Sequence, residues 1–297
     1  MLRLLTRNAR RPAKVKPRFF RPVLEMLEGR DCPSMPGAPG VSVTSFSVMA
    51  TSGKTVTITG TVTDGTPGAA VSVSFSGVVS ASATADSNGN FSTTATATSL
   101  GTVTATATDN QGQTSAPAQA QLAVAAPTIT LQVVPLDKRN VLLCGSASAQ
   151  SPGGLTVTLG GKVSGTTTTR SDGSFNITLE ASALGDVTAA TTDVWGQASN
   201  TATYTLTSNT PSITQFKGLQ DGTTWTFTGS VTDEWPEGET VTFGGFPQLQ
   251  GQTCTVTSNG TFSFTITLPT GLDNIATATV TDWWGLQSQE AQTLVES

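Results

Sequence analysis

The 297-residue sequence contains no histidine and three cysteines, and only 12% of its residues are charged and 6% aromatic. General acid–base catalysis most often uses histidine, and the acidic residues and lysines form no cluster around a serine or cysteine, so we expect no enzyme. No cysteine has a second cysteine or a histidine nearby, which argues against a zinc site. No stretch approaches the ~18 apolar residues of a membrane-spanning helix, so we predict no transmembrane segment.

Basic residues are scarce beyond the first 30 positions. Those positions hold nine of the 15 Lys and Arg residues but only two of the 20 Asp and Glu residues. The rest of the chain is therefore acidic and repels polyanions, so we expect no nucleic-acid binding. Because prolines interrupt residues 1–40 and positive charges within them repel one another, we predict that this segment is a largely disordered basic leader or targeting segment.

The abundant residues are Thr, Ser, Ala and Val, together with 30 Gly. Thr and Val favour strands, and Gly, Asn and Asp favour turns, so the composition predicts an all-β protein. Larger apolar residues alternate with Thr or Ser in short runs such as WTFTGSVT and TFSFTITL, as expected for strands with one buried and one wet face. With 36% apolar residues spread in such runs, several small cores are expected instead of one large core.

Three markers recur in the same order, each at intervals of 84 to 89 residues, and define three copies of one unit. The first is a glycine within a strand pattern, at Gly60, Gly145 and Gly229. The second is a phenylalanine after an Asn-Gly or Asp-Gly turn, at Phe91, Phe175 and Phe262. The third is the eight-residue frame Thr-Asp-x-x-Gly-x-x-Ser beginning at Thr108, Thr192 and Thr281, here named the closing turn. We place copy 1 at 41–127, copy 2 at 128–211 and copy 3 at 212–297.

Each copy is predicted to contain seven short strands, which is the pattern of an immunoglobulin-like β-sandwich. The fold class is therefore three tandem immunoglobulin-like sandwiches after the leader. Asn259-Gly260 stands between QTCTVTS and TFSFTITL, and its glycine suits a type I′ turn, so these two strands are predicted to form a tight hairpin.

The closing turn is interpreted as structural. Its Asp is expected to accept hydrogen bonds from backbone N–H groups two or three residues further on, and its Gly to adopt a positive φ. The two residues between them are expected to face outward and to vary freely. The structural residues predicted on this basis are Asp109, Gly112, Asp193, Gly196, Asp282 and Gly285.

Tryptophan is the feature that most favours a ligand. Four of the five tryptophans lie in copy 3, and Trp195 of copy 2 corresponds to either Trp283 or Trp284 in the closing turn. An exposed indole ring can stack on a sugar, so Trp195, Trp283 and Trp284 are candidate ligand-stacking residues. The alternative is that these rings cover a thin core or pack against a neighbouring domain.

Acidic residues offer two weaker candidates. Asp233, Glu234, Glu237 and Glu239 crowd one loop of copy 3, but a solvated turn is the preferred interpretation over a pair of glycosidase carboxylates. Calcium shared between successive copies, with Asp109 or Asp193 as a ligand, is a further alternative. No other cofactor or metal is predicted.

The stretch from Gly260 to Ser288 resembles the second half of bacterial immunoglobulin-like repeats, with a turn glycine, an aromatic residue, Leu-x-x-Gly, an alternating strand and the closing turn. Copies 1 and 2 match more loosely, through Leu100-Gly101 and Leu184-Gly185. In the leader, residues 21–34 are similar to a Leu-Glu-x-Leu-Glu-x-Arg-x-x-Pro-Ser segment of large exported planctomycete proteins, with Gly29 where an acidic residue is usual. These resemblances imply an extracellular or cell-surface spacer, adhesive or accessory module and no particular activity.

The sequence thus predicts a non-catalytic, secreted or cell-surface protein that acts as a structural or adhesive spacer. Its expected partners are cell-envelope polysaccharide or other surface proteins. One alternative is a carbohydrate-binding protein that uses the Trp-rich third copy, and a poorer one is an accessory part of a larger extracellular enzyme.

Overall fold

A computed structural model of the chain describes residues 40–65 and 70–296. The predicted leader lies outside these residues except for Gly40. Over the described part of the chain, 22 strands and no helices are present, and no segment there forms a helix that could cross a bilayer. Cys144 and Cys254, the two cysteines within this part, are free thiols.

Copy 1 forms two antiparallel sheets with the strand orders β1-β2-β5 and β4-β3-β6-β7. Its strands are β1 (Ser42–Ser52), β2 (Thr55–Thr63), β3 (Ser72–Gly77), β4 (Ala81–Thr84), β5 (Asn90–Thr96), β6 (Gly101–Thr108) and β7 (Ala118–Leu122).

Copy 2 repeats this arrangement, but its first strand is broken in two, and both pieces pair with β10. The second sheet has the order β12-β11-β14-β15. The strands are β8 (Thr128–Ile129), β9 (Gln132–Pro135), β10 (Asn140–Ser148), β11 (Thr156–Gly161), β12 (Gly165–Thr168), β13 (Ser174–Glu180), β14 (Gly185–Thr191) and β15 (Ala202–Leu206).

Copy 3 has sheets of order β16-β17-β20 and β19-β18-β21-β22. The strands are β16 (Ser212–Asp221), β17 (Thr224–Thr232), β18 (Thr240–Gly244), β19 (Thr253–Thr255), β20 (Thr261–Thr267), β21 (Asp273–Thr281) and β22 (Ala291–Glu296). Each copy buries a separate hydrophobic core. The predicted fold class, tandem immunoglobulin-like sandwiches, is confirmed.

The alternation seen in the sequence explains these cores. In β6, Val103, Ala105 and Ala107 are fully buried, while the threonines between them are half-exposed. The buried side chains of copies 1 and 2 are mostly aliphatic, whereas the core of copy 3 contains more aromatic rings. Phe243 lies 6.0 Å from Phe262 between ring centroids.

Two of the sequence markers are neighbours across strands. Gly60 pairs with Phe91, and the same pairing joins the glycine and phenylalanine of copies 2 and 3. A Cβ on Gly60 would lie 2.3 Å from the Phe91 ring and 2.3 Å from the carbonyl oxygen of Ser45, where β1 is irregular. The glycine is therefore required because a ring and a carbonyl group occupy the space of a side chain.

The predicted hairpin at Asn259-Gly260 is wrong. Strand β19 pairs with β18, whereas β20 pairs with β17 in the opposite sheet. The turn closes locally, since the N–H of Thr257 donates to the carbonyl of Thr261 at 2.8 Å, and the chain then crosses between sheets. Gly260 still adopts a φ of +75°, as the turn requires. Alternation of side chains reports that a segment is a strand but not which neighbour it pairs with.

Candidate functional site: the joints between sandwiches

The aspartate of each closing turn accepts two backbone hydrogen bonds on one oxygen, Oδ1. The donors are the N–H groups two and four residues further on, whereas the sequence led us to expect groups two or three residues further on. The distances are 2.9 and 2.7 Å at Asp109, 2.9 and 2.8 Å at Asp193, and 2.9 and 2.7 Å at Asp282. The aspartate thus organises the backbone of its own turn.

The glycine and serine of the closing turn are equally constrained. Gly112, Gly196 and Gly285 have φ values of +80°, +86° and +85°, and open space surrounds the position of a Cβ at each. The N–H of the serine donates to the carbonyl of the strand residue eight positions earlier, and its Oγ accepts from the N–H of that residue at 3.0 Å. The role of this serine was missed, although it is the last fixed residue of the frame.

The tryptophans of the closing turn contact the preceding copy. Trp195 and Trp284 occupy the same position, because the backbone N–H of each donates to the turn aspartate at 2.9 Å. Both are half-buried. Trp195 packs against the core of copy 1, and Trp284 packs against the core of copy 2. The expectation that both middle residues of the turn face outward and vary freely is therefore wrong for the second position.

The contacts of copy 1 with copy 2 are here named joint 1/2. Besides Trp195, Gln197 Nε2 of the same closing turn donates to the carbonyl of Val124 at 3.1 Å. The N–H of Gly53, at the tip of the β1–β2 hairpin, donates to Ser151 Oγ at 2.8 Å. Pro127 in the linker is buried. Copies 1 and 2 are therefore joined by a short linker and by hydrogen bonds from both the closing turn and the hairpin tip.

The contacts of copy 2 with copy 3 are named joint 2/3. Lys138 Nζ lies 4.7 Å from the centroid of the Trp283 ring, within the range of a cation–π interaction. Trp283 Nε1 donates to the carbonyl of Trp235 at 3.2 Å. The carboxylate of Glu234 accepts from the N–H and Nδ2 of Asn209, in the linker, at 3.2 and 2.6 Å. Joint 2/3 therefore combines tryptophan rings, the charged side chains of Lys138 and Glu234, and the linker residue Asn209.

The two joints use corresponding elements. Lys138 stands at the hairpin tip of copy 2 where Gly53 stands in copy 1, and both have a left-handed backbone, with φ values of +52° and +56°. Trp235 lies six residues after Gly229, as Ser151 lies six residues after Gly145. The same faces meet twice along the chain, which shows that the contact belongs to the repeating unit.

The acidic loop of copy 3 is not the solvated turn that the sequence predicted. Glu239 is 2% exposed, and neither of its carboxyl oxygens meets an N–H or O–H donor. Burial, and after it the neighbouring Asp233, raise the pKa of Glu239 to about 9. Burial also raises the pKa of Asp233, while Glu237 stays exposed. The prediction failed because charged residues are seldom buried, and the signal lies in the apolar residue at the equivalent position of the other copies, not in the loop itself.

The remaining candidates can now be placed. Among residues 40–65 and 70–296, no group of three or more Asp, Glu, Cys or His side chains is arranged to hold a metal ion. Asp193 and Asp282 belong to the turns at the joints. Trp195, Trp283 and Trp284 are all half-buried, and each contacts a neighbouring copy or Lys138.

No family model matches the chain, and no curated protein is similar to it. Solved structures that it resembles include a 1.5-MDa bacterial ice-binding adhesin, with 18% identity, 86% of this chain and 96% of that chain covered, and a TM-score of 0.27. Invasin, a bacterial integrin-binding protein, is 18% identical over 86% of this chain and 59% of that chain, with a TM-score of 0.36. Fibronectin(III)-like modules of Clostridium thermocellum CbhA are 18% identical over 56% of this chain and 93% of that chain, with a TM-score of 0.23. Similarities this low assign no ligand and no activity.

Proposed function

We propose that the protein is a non-catalytic, secreted or cell-surface spacer with a structural or adhesive function. Stiff joints between its sandwiches would keep the two ends of the spacer at a fixed distance. Its domains would be residues 41–127, 128–211 and 212–297. The closing turns would be structural devices of the repeat and not ligand sites. Partners of such a spacer would be cell-envelope polysaccharide or other surface proteins, and no cofactor is required.

The packing of one copy's tryptophan against the core of the preceding copy carries this proposal. It occurs at both joints, through Trp195 and Trp284. In copy 1, which has no earlier sandwich before it among the described residues, the same position is Gln111. A half-buried indole that packs across a domain boundary restricts rotation between the domains, since its contacts are lost in other orientations. A flexible tether would have no use for this arrangement.

Carbohydrate binding by copy 3 is less well supported. Trp284 contacts copy 2, and the ammonium group of Lys138 lies over Trp283. A sugar would have to displace these contacts before it could stack. We therefore place the spacer function first.

The test is a distance measurement across joint 1/2 by pulsed electron paramagnetic resonance. Spin labels are attached through Ser82→Cys and Thr166→Cys, which are exposed and occupy corresponding strands of copies 1 and 2, in the full chain with its native cysteines replaced by serine. We expect one narrow distance distribution. Trp195→Gln, which introduces the copy 1 residue, should broaden it.

Val194→Ala, in the same turn, is the matched control and should leave the distribution narrow. An equally broad distribution in the unmodified chain and in the Trp195→Gln variant would contradict the proposed spacer function, because the joint would then be flexible with or without the ring.

A further inference from the structure

Glu239 occupies a position that is apolar in the other copies. It lies ten residues after Gly229, as Leu155 lies ten residues after Gly145. Its carbonyl oxygen accepts a backbone hydrogen bond at 3.0 Å from the residue directly after β19, as those of Leu155 and Val71 do at 2.9 Å from the residues directly after β12 and β4. Val71 and Leu155 are core residues, 3% and 4% exposed, and Glu239 is 2% exposed. Copy 3 therefore places a carboxyl group where copies 1 and 2 place a hydrocarbon.

The groups that face Glu239 are themselves acidic. Asp233, which follows β17 and corresponds to Ala149 of copy 2, has the strongest effect on Glu239. Asp282 of the closing turn and Glu234 act on it more weakly, by charge repulsion. One oxygen each of Asp233 and Asp282 is buried without a donor, as are both oxygens of Glu239. Lys138, the cation at joint 2/3, lies over the Trp283 ring.

Glu239 is buried without a donor, and Asp233 beside it is half-buried and accepts one backbone hydrogen bond. Two negative charges in this setting are strongly unfavourable, so the folded state requires another charge arrangement. A bound cation is one solution, but the described residues offer no group of three metal ligands. A proton is the other, because a protonated carboxyl donates to its neighbour and removes one negative charge.

We propose that Glu239 and Asp233 share one proton in the folded protein, and that loss of this proton weakens copy 3 and loosens joint 2/3. Burial comes first among the causes that raise the pKa of Glu239 from 4.5 to about 9. Between these pH values the folded state holds a proton that the unfolded state has released. Stability therefore falls as the pH rises through this range, by a factor of about ten in the unfolding constant per pH unit, and levels off above about 9.

The same loop forms part of joint 2/3. Asp233 Oδ2 accepts from the N–H of Trp235 at 3.2 Å, and the carbonyl of Trp235 accepts from Trp283, the ring beneath Lys138. Glu234 holds the linker residue Asn209. Repulsion between Glu239 and Asp233 would displace this loop and with it the joint. This second consequence rests on the proposed spacer function, whereas the shared proton does not.

The test is urea unfolding of the full chain at pH 6, 7 and 8, followed by tryptophan fluorescence, which reports mainly on copy 3 because four of the five tryptophans lie there. Glu239→Gln keeps a donor for Asp233 but does not titrate. We expect the unfolding constant of the unmodified chain to rise about tenfold per pH unit relative to this variant. Glu239→Leu, the residue of copy 2, should abolish the same dependence, and Glu237→Gln, in the exposed part of the loop, should preserve it.

Identical pH dependence in the unmodified chain and in Glu239→Gln would overturn the shared proton. So would stabilisation by millimolar calcium chloride that disappears in Glu239→Gln, because the site would then hold a cation. Spin labels introduced through Thr166→Cys and Thr253→Cys test the joint, and their distance distribution should broaden between pH 7 and pH 10. An unchanged distribution alongside the expected urea result would refute the effect on joint 2/3 alone, while joint 1/2 still tests the spacer function separately.

Discussion

Replacing Asp109 by alanine tests whether the closing turn is a structural device. Its Oδ1 accepts backbone hydrogen bonds from Gln111 at 2.9 Å and Gln113 at 2.7 Å. A hydrogen bond to a charged group contributes about 1.5–3 kcal/mol when water cannot replace it, but both donor residues are exposed and water can hydrate their N–H groups after the change. We therefore take about 1 kcal/mol for each bond and expect Asp109→Ala to destabilise copy 1 by about 2 kcal/mol.

Asp109→Asn is the informative companion. Both bonds go to a single oxygen, and the asparagine side chain keeps one carbonyl oxygen that can accept both. We expect a loss of less than about 1 kcal/mol, from the weaker acceptor alone. The assay is native-state hydrogen exchange by mass spectrometry on peptides from β6 and β7 of the full chain.

Equal losses in the two variants would show that the negative charge matters and not the acceptor geometry, as expected for a cation site. An unchanged free energy of opening in Asp109→Ala would show that the turn does not depend on its aspartate at all. Either result would refute the structural interpretation of the closing turn.

Three further predictions concern individual side chains. Gly60→Ala should destabilise copy 1 by about 3 kcal/mol, because its Cβ would meet a ring and a carbonyl at 2.3 Å. Gly112→Ala, with open space but a positive φ, should destabilise it by about 1 kcal/mol; urea unfolding measures both losses, and the reverse order would contradict the geometry. Burial raises the pKa of the Cys254 thiol from 9.0 to about 11. At pH 8 iodoacetamide should therefore modify this thiol roughly a hundredfold more slowly in the folded protein than in the unfolded chain, and equal rates would show an accessible thiolate. Ile275→Thr with Leu294→Gln replaces a half-exposed apolar pair by the polar pair Thr102 and Gln121 of copy 1. The double variant should be retained less on a hydrophobic column, and its free energy of unfolding should change by no more than about 0.5 kcal/mol; a larger loss would show that the pair supports the sheet.

Much of the fold could be predicted from periodic features. The recurrence of Gly60 and Phe91 in each copy reflects a contact between adjacent strands, so their spacing repeats with the fold. Alternating threonines indicated strands for the same reason, since one face of each sheet is wet. The pairing of β19 could not be predicted in this way, because a turn such as Asn259-Gly260 can return the chain to the same sheet or pass it to the opposite one.

The joints were harder to predict than the sandwiches. The sequence showed that Trp195 and the tryptophans of copy 3 stand in corresponding turns, but not which copy they contact. That contact depends on how successive domains are oriented, and a repeat pattern within one copy contains no information on it. The burial of Glu239 was missed for a related reason, since only comparison with Val71 and Leu155 at the same backbone position reveals it.

The most direct test of the account is whether a change in one copy alters the stability of the copy before it. Trp195 belongs to copy 2, but its ring packs on the core of copy 1. The ring is half-buried, and about half of the stabilisation from complete burial of a large apolar side chain is about 1.4 kcal/mol, so Trp195→Gln should increase hydrogen exchange through global opening in β2 and β5 of copy 1 about tenfold. Val194→Ala in the same turn should leave this exchange unchanged. If Trp195→Gln altered exchange in copy 2 alone, or in neither copy, the joint would not couple the two sandwiches and the spacer with stiff joints would be the wrong account.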